Sequence, residues 1–504
     1  MGRKSTIPGD VLRYKPCPCC RIRNDKGVYW VYKYGSVKLK SGKWSNDWGY
    51  LIGKIIPGEG FSPNKRYMEE LEGQSRPAFV DGITDVAYGE YSLLVSLSGG
   101  ILANLEGCFP PGKAAQIYAY ALIICAKGYV RVGRVDDYYQ ESILSVMYGD
   151  YPLEMGRDGL HALLRELGMN AALTRNFEKS LAGDASKSVA LGRRDAKPCF
   201  AGSMLAWIGD EIDSAESQKA GVLAAYDLGK MRPLTLRTFR DPDTEKMDIF
   251  ELLGDWNLDG PATLIACGEC FTEPVLKYIA ENGLRYITPV PPSEETIRHA
   301  VECIGQASGE FEYGADGLER RRVNYYEEKT EDAPRLIVFR DERESESIRE
   351  TYKRLMDAEE VDCAEDEYDR ICDWSGVYVI QTNLDGPAES VYSGYKSALA
   401  AGVFNGCAGD DSRFEDPDIR DYYAERGLDL VALVSELIRA ELEDAIRQAG
   451  ITGLSASDVL LMAGRMRMVC GERGRWKLNN AGKINLEVLE KIGFVPEAVY
   501  TPAT

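Results

Sequence analysis

Hydrophobic and polar residues alternate along residues 28–56, VYWVYKYGSVKLKSGKWSNDWGYLIGKII, and the alternation breaks at a Ser-Gly pair. Because successive side chains of a strand point to opposite faces, this pattern predicts a small β-meander. In residues 90–170 the apolar positions recur every three to four residues, which predicts helices punctuated by Gly and Pro. The apolar run AAQIYAYALIICA at 114–126 is too short to span a bilayer, so we expect a core helix and no membrane contact.

The pattern changes near residue 180. Three strand-like segments, SLAGDASKSVAL, AGVLAAYDLG and RPLTLRTF, are followed by the helical segment DIFELLGDW. A strand (ATLIACGE), a helix (EPVLKYIAENG) and another strand (LRYITPV) come next. This order predicts an α/β fold with a mixed sheet covered by helices.

The next segment is acidic, and the chain ends in helices. Between Glu327 and Asp369 there are 17 acids and 7 bases, which indicates an insertion with its own strands and a helix, ESESIRETYKRLMDAEE. The strand GVYVIQTNL closes it, and the last 120 residues or so are mostly helical by the same criterion. In the helix GLDLVALVSELIRAELEDAI one face is predicted to be buried, and it consists of Val431, Val434, Ile438 and Leu442 with Leu430, Leu433 and Leu437 beside them.

These patterns divide the chain of 504 residues into five predicted regions. They are a basic β-rich module (1–66), a helical domain (67–175), a first part of the α/β core (176–300), an acidic insertion (301–385), and the last part of the core with a helical tail (386–504).

Charge is distributed unevenly along the chain. Residues 1–66 hold 14 Lys and Arg against 4 Asp and Glu, a balance of +10. Because the net charge of the whole chain is −20, residues 67–504 carry a charge of −30. A basic segment rich in aromatic residues predicts contact with DNA, and the candidate contacts are Lys33, Lys38, Lys40, Lys43 and Lys54. The alternative is a solvated basic sheet edge that its lysines protect from pairing.

Cysteine usage indicates the compartment. The chain has 13 cysteines, an odd number without a disulfide framework, and no secretory signal, so we expect a reducing cytoplasm. Cys17, Cys19 and Cys20 have no second Cys pair or His pair to complete a zinc site, so an ordinary thiol-rich loop is favoured over metal binding. The only histidines are His161 and His299.

The order of segments carries a resemblance to a known family. YWVYKY…YLIGKIIPGEGFSP, GCFPPGKAAQIYAYALIICAKG, VLAAYDLGKMRPLTLRTF, ATLIACGECFTEPVLKYIAENGLRYITPV, QTNLDGPAESVYSGYKSALAAGVF and SASDVLLMAGRMRMV…RWKLNN follow one another along nearly the whole chain. In this order they resemble the DDE transposases of the insertion-sequence-four group. The resemblance implies an RNase H-like core interrupted by a β-rich insertion.

The resemblance also implies a reaction, in which three carboxylates hold two Mg²⁺ ions that cleave and join DNA. Asp184 matches the first acid and would be the metal ligand if any is retained. The second position falls on Cys267, or on Gly268 in a shifted frame. The third lies in a pattern Y-x2-R-x3-E-x6-K, which here reads Tyr395, Ala398, Gly402 and Gly409. We expect Asp184, Cys267 and Gly402 to converge, with their Cα atoms within roughly 15 Å of each other.

Neighbouring acids are poor replacements for the missing ones. Glu269 is a displaced candidate for the second acid, one pleat beyond Cys267 and about 7 Å away. Asp410 and Asp411 lie about two helical turns beyond Gly402, roughly 12 Å along the axis. Cys267 itself would prefer metals softer than Mg²⁺.

Three interpretations remain open. The first, which we favour, is a DNA-binding protein of transposase descent with a degraded catalytic site and no cofactor. The second is an active Mg²⁺-dependent transposase with relocated acids, Asp184 and Glu269. The third is a transposase-derived scaffold for other proteins that does not bind nucleic acid, as the acidic body favours. A homodimer is left open.

Overall fold

The protein has a mixed α/β fold, as predicted. The computed structural model describes residues 7–65, 85–196, 220–239, 249–402 and 409–501, with shorter gaps inside these ranges. Its described strands form a nine-stranded mixed sheet, two four-stranded sheets and a two-stranded hairpin. Among the described helices none is both long and apolar enough to cross a membrane.

The N-terminal module is a small antiparallel sheet preceded by one short helix. Its elements are α1 (Gly9–Leu12), β1 (Cys20–Asp25), β2 (Val28–Lys33), β3 (Gly35–Lys38), β4 (Trp44–Asp47), β5 (Leu51–Ile56) and β6 (Gly60–Pro63). The sheet order is β1-β2-β5-β6, and β3 and β4 pair separately as a hairpin. The predicted β-meander is therefore present.

A helical region follows the N-terminal module. It contains β7 (Asp85–Ala87), α2 (Gly89–Cys108), α3 (Pro111–Lys127), α4 (Val135–Gln140), α5 (Ile143–Met147), α6 (Arg157–Met169) and α7 (Ala171–Ala182). The apolar run predicted as a core helix lies in α3, where ten of the twelve residues from Ala114 to Cys125 are buried. This helix packs against α2.

The core of the nine-stranded sheet is built from five strands. They are β8 (Ser188–Ala196), β9 (Ala220–Asp227), β10 (Arg232–Phe239), β11 (Thr263–Cys267) and β12 (Arg285–Pro289). A short helix at residues 249–254 precedes β11, and α8 (Glu273–Glu281) connects β11 to β12. The order is β10-β9-β8-β11-β12, with the first three antiparallel and β8, β11 and β12 parallel. This is a mixed sheet of the kind that the alternation of strands and helices predicts.

The acidic segment extends this sheet. Its elements are α9 (Glu294–Ile304), β13 (Gly309–Tyr313), β14 (Arg321–Glu328), β15 (Arg335–Asp341), α10 (Glu342–Asp357) and β16 (Val377–Thr382). Strand β16 pairs antiparallel with both β12 and β15, and β14 and β13 follow at the edge. The strands and the helix predicted for the insertion are thus present, and the strands continue the central sheet.

The C-terminal part is mostly helical. It comprises α11 (Ala388–Ala400), a 3₁₀ turn (Asp411–Glu415), α12 (Tyr422–Gln448), α13 (Ala456–Ala463), β17 (Arg467–Cys470), β18 (Trp476–Asn479), α14 (Lys483–Lys491) and β19 (Val499–Tyr500). Strands β17, β18 and β19 form the second four-stranded sheet together with β7 from the helical region. The division into domains stays a prediction.

Helix α12 is the centre of the hydrophobic core. It packs against α6, α3 and β10, and its predicted apolar face is buried throughout. A side chain at Gly427 would overlap the Leu164 carbonyl oxygen, at 1.9 Å, so glycine permits the close approach of α12 to α6. Asp429 of α12 accepts hydrogen bonds from the Thr238 amide (2.7 Å) and hydroxyl (2.6 Å), which fixes the helix across β10.

Candidate functional site

The parallel strands of the central sheet end at one edge, where open α/β sheets commonly bind ligands. Cys267 ends β11 and pairs with Gly192 of β8. Strand β16 begins at the same edge, because it runs antiparallel to β12 and Ile380 pairs with Pro289. We call the region defined by Gly192, Cys267 and Tyr378 of β16 the carboxyl edge.

At the carboxyl edge the position expected to bear the second acid has no carboxylate. Burial raises the pKa of the Cys267 thiol to about 11, so the thiol is protonated at neutral pH and is a poor ligand for Mg²⁺. Gly268 follows with φ +88°, a conformation that favours glycine. On β8 the next residue after Gly192 is Arg193, whose guanidinium lies 5.7 Å from the Phe239 ring centroid.

Helix α11 crosses the sheet above this edge. A side chain at Gly394 would contact Ile287 (3.1 Å) and Ile265 (3.4 Å), so the helix lies close to β11 and β12. Tyr395 is buried, and burial together with the neighbouring Cys267 raises the pKa of its hydroxyl to about 12. The protonated thiol of Cys267 therefore stands where the resemblance implies a metal-binding carboxylate, next to the protonated phenol of Tyr395, which matches the tyrosine of the family pattern.

Two carboxylates of the insertion lie at this edge among the residues that the structure describes. Glu344 of α10 accepts hydrogen bonds from Lys396 Nζ at 2.9 Å and from the Tyr378 hydroxyl at 2.6 Å. Lys396 also donates to the Tyr378 hydroxyl at 3.1 Å and lies 4.8 Å from the centroid of its ring. We call Glu344, Tyr378 and Lys396 the closed cluster, because their polar atoms bond to one another.

Asp341 is satisfied in a similar way. It is fully buried, accepts a hydrogen bond from the Tyr392 hydroxyl at 3.0 Å, and lies 3.6 Å from Arg321. Its other oxygen accepts from the Glu344 amide at 3.0 Å, so Asp341 caps α10. Burial and the neighbouring carboxylates raise the pKa of Tyr378 and of Tyr392, so both phenols stay protonated as donors.

The edge does not fit a two-metal centre. Two divalent ions at a phosphodiester need about three carboxylates. Glu344 already bonds to Lys396 and Tyr378, and Asp341 already bonds to Tyr392. Within the described ranges, no cluster of three His, Cys, Asp or Glu side chains is suited to hold a metal ion.

Asp184 lies away from the carboxyl edge, and its convergence with Cys267 and Gly402 to within roughly 15 Å stays a prediction. It sits in the turn between α7 and β8, whereas Cys267 lies at the far end of β11, a strand about 13 Å long. It is exposed and ion-pairs with Lys230 of the β9–β10 turn and with Arg232, the first residue of β10. Lys230 and Arg232 lower the pKa of its carboxyl, which describes a surface ion pair.

The other predicted positions have different outcomes. Glu269 lies outside the described residues. Gly402 lies two residues beyond the end of α11 with φ +61°, and lines a groove beside Ala224. Ala224 pairs with Gly192, the partner of Cys267, so this groove borders a strand that lies two strands from β11. Sequence reasoning missed Arg193 and the closed cluster.

The N-terminal sheet has one packed face and one outer face. Cys20, Val31, Ile55 and Phe61 pack against Val11 and Tyr423. A side chain at Gly60 would overlap the Tyr423 ring at 1.9 Å, and Arg165 of α6 donates to the Phe61 carbonyl at 3.0 Å. These contacts dock the module on the beginning of α12.

The outer face carries basic and aromatic side chains in register. Arg23 pairs with Trp30, and Trp30 pairs in turn with Lys54; one step along, Arg21 pairs with Tyr32. Because paired residues share a face, these five form one surface, which we call the outer face. Arg21, Arg23 and Lys54 are exposed, and the two rings are partly exposed.

The lysines predicted to contact DNA do not all lie on the outer face. Lys54 lies on the outer face, but Lys33 pairs with Cys20 on the packed side and lies 5.9 Å from the Tyr50 ring centroid. Lys38 lies in β3 opposite Trp44, and its side chain is outside the described part, as are Lys40 and Lys43. Arg21 and Arg23 were missed, although their alternation in CRIRND marks a strand face.

The cysteines partly depart from the prediction. Cys20 is disulfide-bonded, so the expectation of reduced thiols is wrong at this position. Free thiols are present at Cys108, Cys125, Cys267, Cys270, Cys303, Cys372 and Cys470. Cys17 and Cys19 lie outside the described residues.

Comparisons with known proteins give little further information. No protein-family model and no curated protein matches the chain. Among solved structures, it is similar to the piggyBac transposase in a cryo-EM structure of its synaptic complex with hairpin DNA. The similarity covers 81% of this chain and 80% of that one, at 8% identity and a TM-score of 0.33. A similarity of this size assigns no function.

Proposed function

We propose that this protein is a DNA-binding protein of transposase descent whose RNase H-like core neither cleaves nor joins DNA. The sequence resemblance and the strand order β10-β9-β8-β11-β12 support the descent. The observation that carries the loss of catalysis is the carboxyl edge, where Cys267 and Tyr395 keep their protons and Glu344 is bonded to Lys396 and Tyr378.

The physical argument concerns charge. A phosphodiester is negative, and metal ions beside it must be held by carboxylates that are free to coordinate them. Binding Mg²⁺ at the closed cluster would displace Lys396 from Glu344 and leave a partly buried ammonium unpaired, which is costly. The edge therefore keeps its own cation in preference to a metal.

DNA binding is assigned to the basic N-terminal module. Its outer face presents Arg23 and Lys54 to solvent, whereas the remaining chain is acidic. Binding through phosphate contacts is largely independent of sequence and weakens steeply with salt. A cytoplasmic location and a homodimer belong to this proposal as expectations.

One experiment tests both parts. Labelled linear duplex DNA is incubated with the full-length protein in Mg²⁺ or Mn²⁺ over a series of salt concentrations. A native gel then detects protein–DNA complexes, and a denaturing gel detects nicked strands. We expect a complex that weakens with salt and no nicked product.

Two results would decide against the proposal. Metal-dependent nicking that disappears in Asp184→Ala would support the active enzyme with relocated acids. Failure to shift any DNA, even at low salt, would support the protein-interaction scaffold, which the charge of −30 over residues 67–504 favours.

A further inference from the structure

We propose that the outer face of the N-terminal sheet binds single-stranded nucleic acid, with Trp30 and Tyr32 stacking on bases and the flanking cations contacting phosphates. This inference rests on the proposed DNA binding and specifies the form of its ligand.

The rings of the outer face lie outside the described hydrophobic core of the module. The hydrophobic core of the module consists of Val11, Tyr14, Cys20, Val31, Ile52, Ile55, Phe61 and Tyr423, with Ile7, Ile22, Tyr29, Tyr50 and Tyr422 against it. Trp30 and Tyr32 alternate with these residues along β2 and point to the opposite face. Partly exposed aromatic rings on a sheet surface are available to a ligand.

The spacing of the rings favours unstacked bases. Trp30 and Tyr32 are two residues apart on one strand, which places them about 6.8 Å apart along β2. Stacked bases in a duplex are separated by about 3.4 Å, roughly half that distance. Two neighbouring bases can therefore each lie on a ring only if they are separated from one another, as in a single strand.

The charges are placed to accompany such a strand. Arg21 and Arg23 lie on β1 and Lys54 lies on β5, so cations flank the aromatic row on both sides at about one strand spacing, 4.8 Å. Arginine and lysine at this distance can contact phosphates while bases stack on the rings. This combination of a basic surface with aromatic platforms is typical of single-strand binding without sequence preference.

The proposal predicts a preference between two probes. Fluorescence anisotropy measures binding of full-length protein to labelled oligo(dT) and to a duplex of the same length, at one salt concentration. We expect tighter binding to oligo(dT). Trp30→Leu or Tyr32→Leu should weaken oligo(dT) binding about tenfold or more and change duplex binding little, because stacking contributes mainly to the single strand.

Matched controls separate stacking from folding. Trp476→Leu with Lys477→Gln removes a tryptophan and its neighbouring lysine from β18 of another small sheet, and should leave binding unchanged. Thermal unfolding verifies that each variant folds. If Trp30→Leu does not fold, the double variant Arg23→Gln with Lys54→Gln is used in its place. We expect it to lower the slope of log Kd against log salt by about two, because two phosphate contacts are lost.

The outcomes distinguish this inference from the proposed function. Equal or tighter binding to the duplex, or full oligo(dT) affinity in Trp30→Leu and Tyr32→Leu, would overturn the single-strand assignment and leave DNA binding intact. Absence of binding to both probes would overturn both. A preference for oligo(dT) that depends on both rings supports the inference.

Discussion

The carboxyl edge and the outer face of the N-terminal sheet both collect charged and aromatic side chains, but they differ in what those side chains bond to. At the edge, Glu344, Tyr378 and Lys396 bond to one another. On the outer face, Arg23 and Lys54 are exposed beside a partly exposed ring. Burial explains the difference, because a charge removed from water must be paired, whereas an exposed charge stays hydrated until a ligand arrives. Charges at the edge are therefore paired within the fold, whereas those on the outer face are exposed to a ligand such as the DNA that we propose.

The largest expected effect is on stability at the edge. Asp341→Ala removes the cap of α10 and the acceptor of the buried Tyr392 hydroxyl, and should lower the free energy of unfolding by about 2–4 kcal/mol. Asp373→Ala, at an exposed aspartate nearby, is the control and should change it by less than about 0.5 kcal/mol. Equal losses in chemical denaturation would break the contrast between buried and exposed charges.

A double-mutant cycle sharpens the contrast for a single ion pair. Lys396→Gln and Glu344→Gln, alone and together, should give a coupling energy of about 1–2 kcal/mol, since the pair is largely shielded from solvent. The exposed pair Lys277 and Glu281, 3.8 Å apart on α8, should give no more than about 0.5 kcal/mol. A coupling at the edge as small as that on α8 would contradict the closed cluster.

Thiol chemistry provides a further test of burial at the edge. Because burial raises the pKa of Cys267 to about 11, its alkylation by iodoacetamide at pH 8 should be at least about tenfold slower than that of the exposed Cys470. Peptide mass spectrometry measures both rates in one sample. Labelling of Cys267 as fast as that of Cys470 would show an open edge.

The same pKa predicts a change of stability with pH. The folded protein holds the Cys267 proton more tightly than the unfolded chain, whose thiol has a pKa near 9.0. The contribution of the Cys267 proton to the free energy of unfolding is complete below pH 9 and is lost as the pH rises from 9 to about 11. Cys267→Ala should remove this part of the pH dependence in denaturation curves.

The smallest effect on stability is expected on the outer face. Lys54→Gln should change the free energy of unfolding by less than about 0.5 kcal/mol, because the side chain is exposed. It should nevertheless lower the slope of log Kd for DNA against log salt by about one. Lys477→Gln on β18 is the control. A Lys54→Gln variant that binds DNA with an unchanged slope would remove Lys54 from the binding surface.

The sequence predicted the regular elements well where periodicity was strong. The segment RPLTLRTF coincides with β10, and the face of α12 predicted from its three-to-four spacing is buried. In these elements the local sequence pattern and the tertiary packing favour the same secondary structure. The mixed sheet followed from the alternation of strands and helices.

The strand predicted around Asp184 was wrong because of a local boundary. SLAGDASKSVAL was interpreted as one strand, but α7 continues to Ala182 and β8 begins only at Ser188. Strand and helix both accept short apolar runs, so periodicity alone does not place this boundary. The error moved the candidate acid to the opposite end of the strand from Cys267.

The closed cluster could not be predicted from spacing. Lys396 and Glu344 are 52 residues apart and lie on different helices, and only the pairing of β16 with β15 brings those helices together. The sequence indicated only an acidic insertion with its own strands and a helix. The structure shows that one of its acids is used as a counter-ion within the fold.

The central position of β16 determines the order in which the protein can be completed on the ribosome. Strand β12 ends at Pro289, but its neighbour β16 begins at Val377, after the whole insertion has been synthesised. Until then β12 presents unpaired backbone groups at an open edge, and such an edge recruits other strands. The nascent chain is therefore most exposed to intermolecular pairing while residues 290–376 are emerging, and release of β16 ends that period.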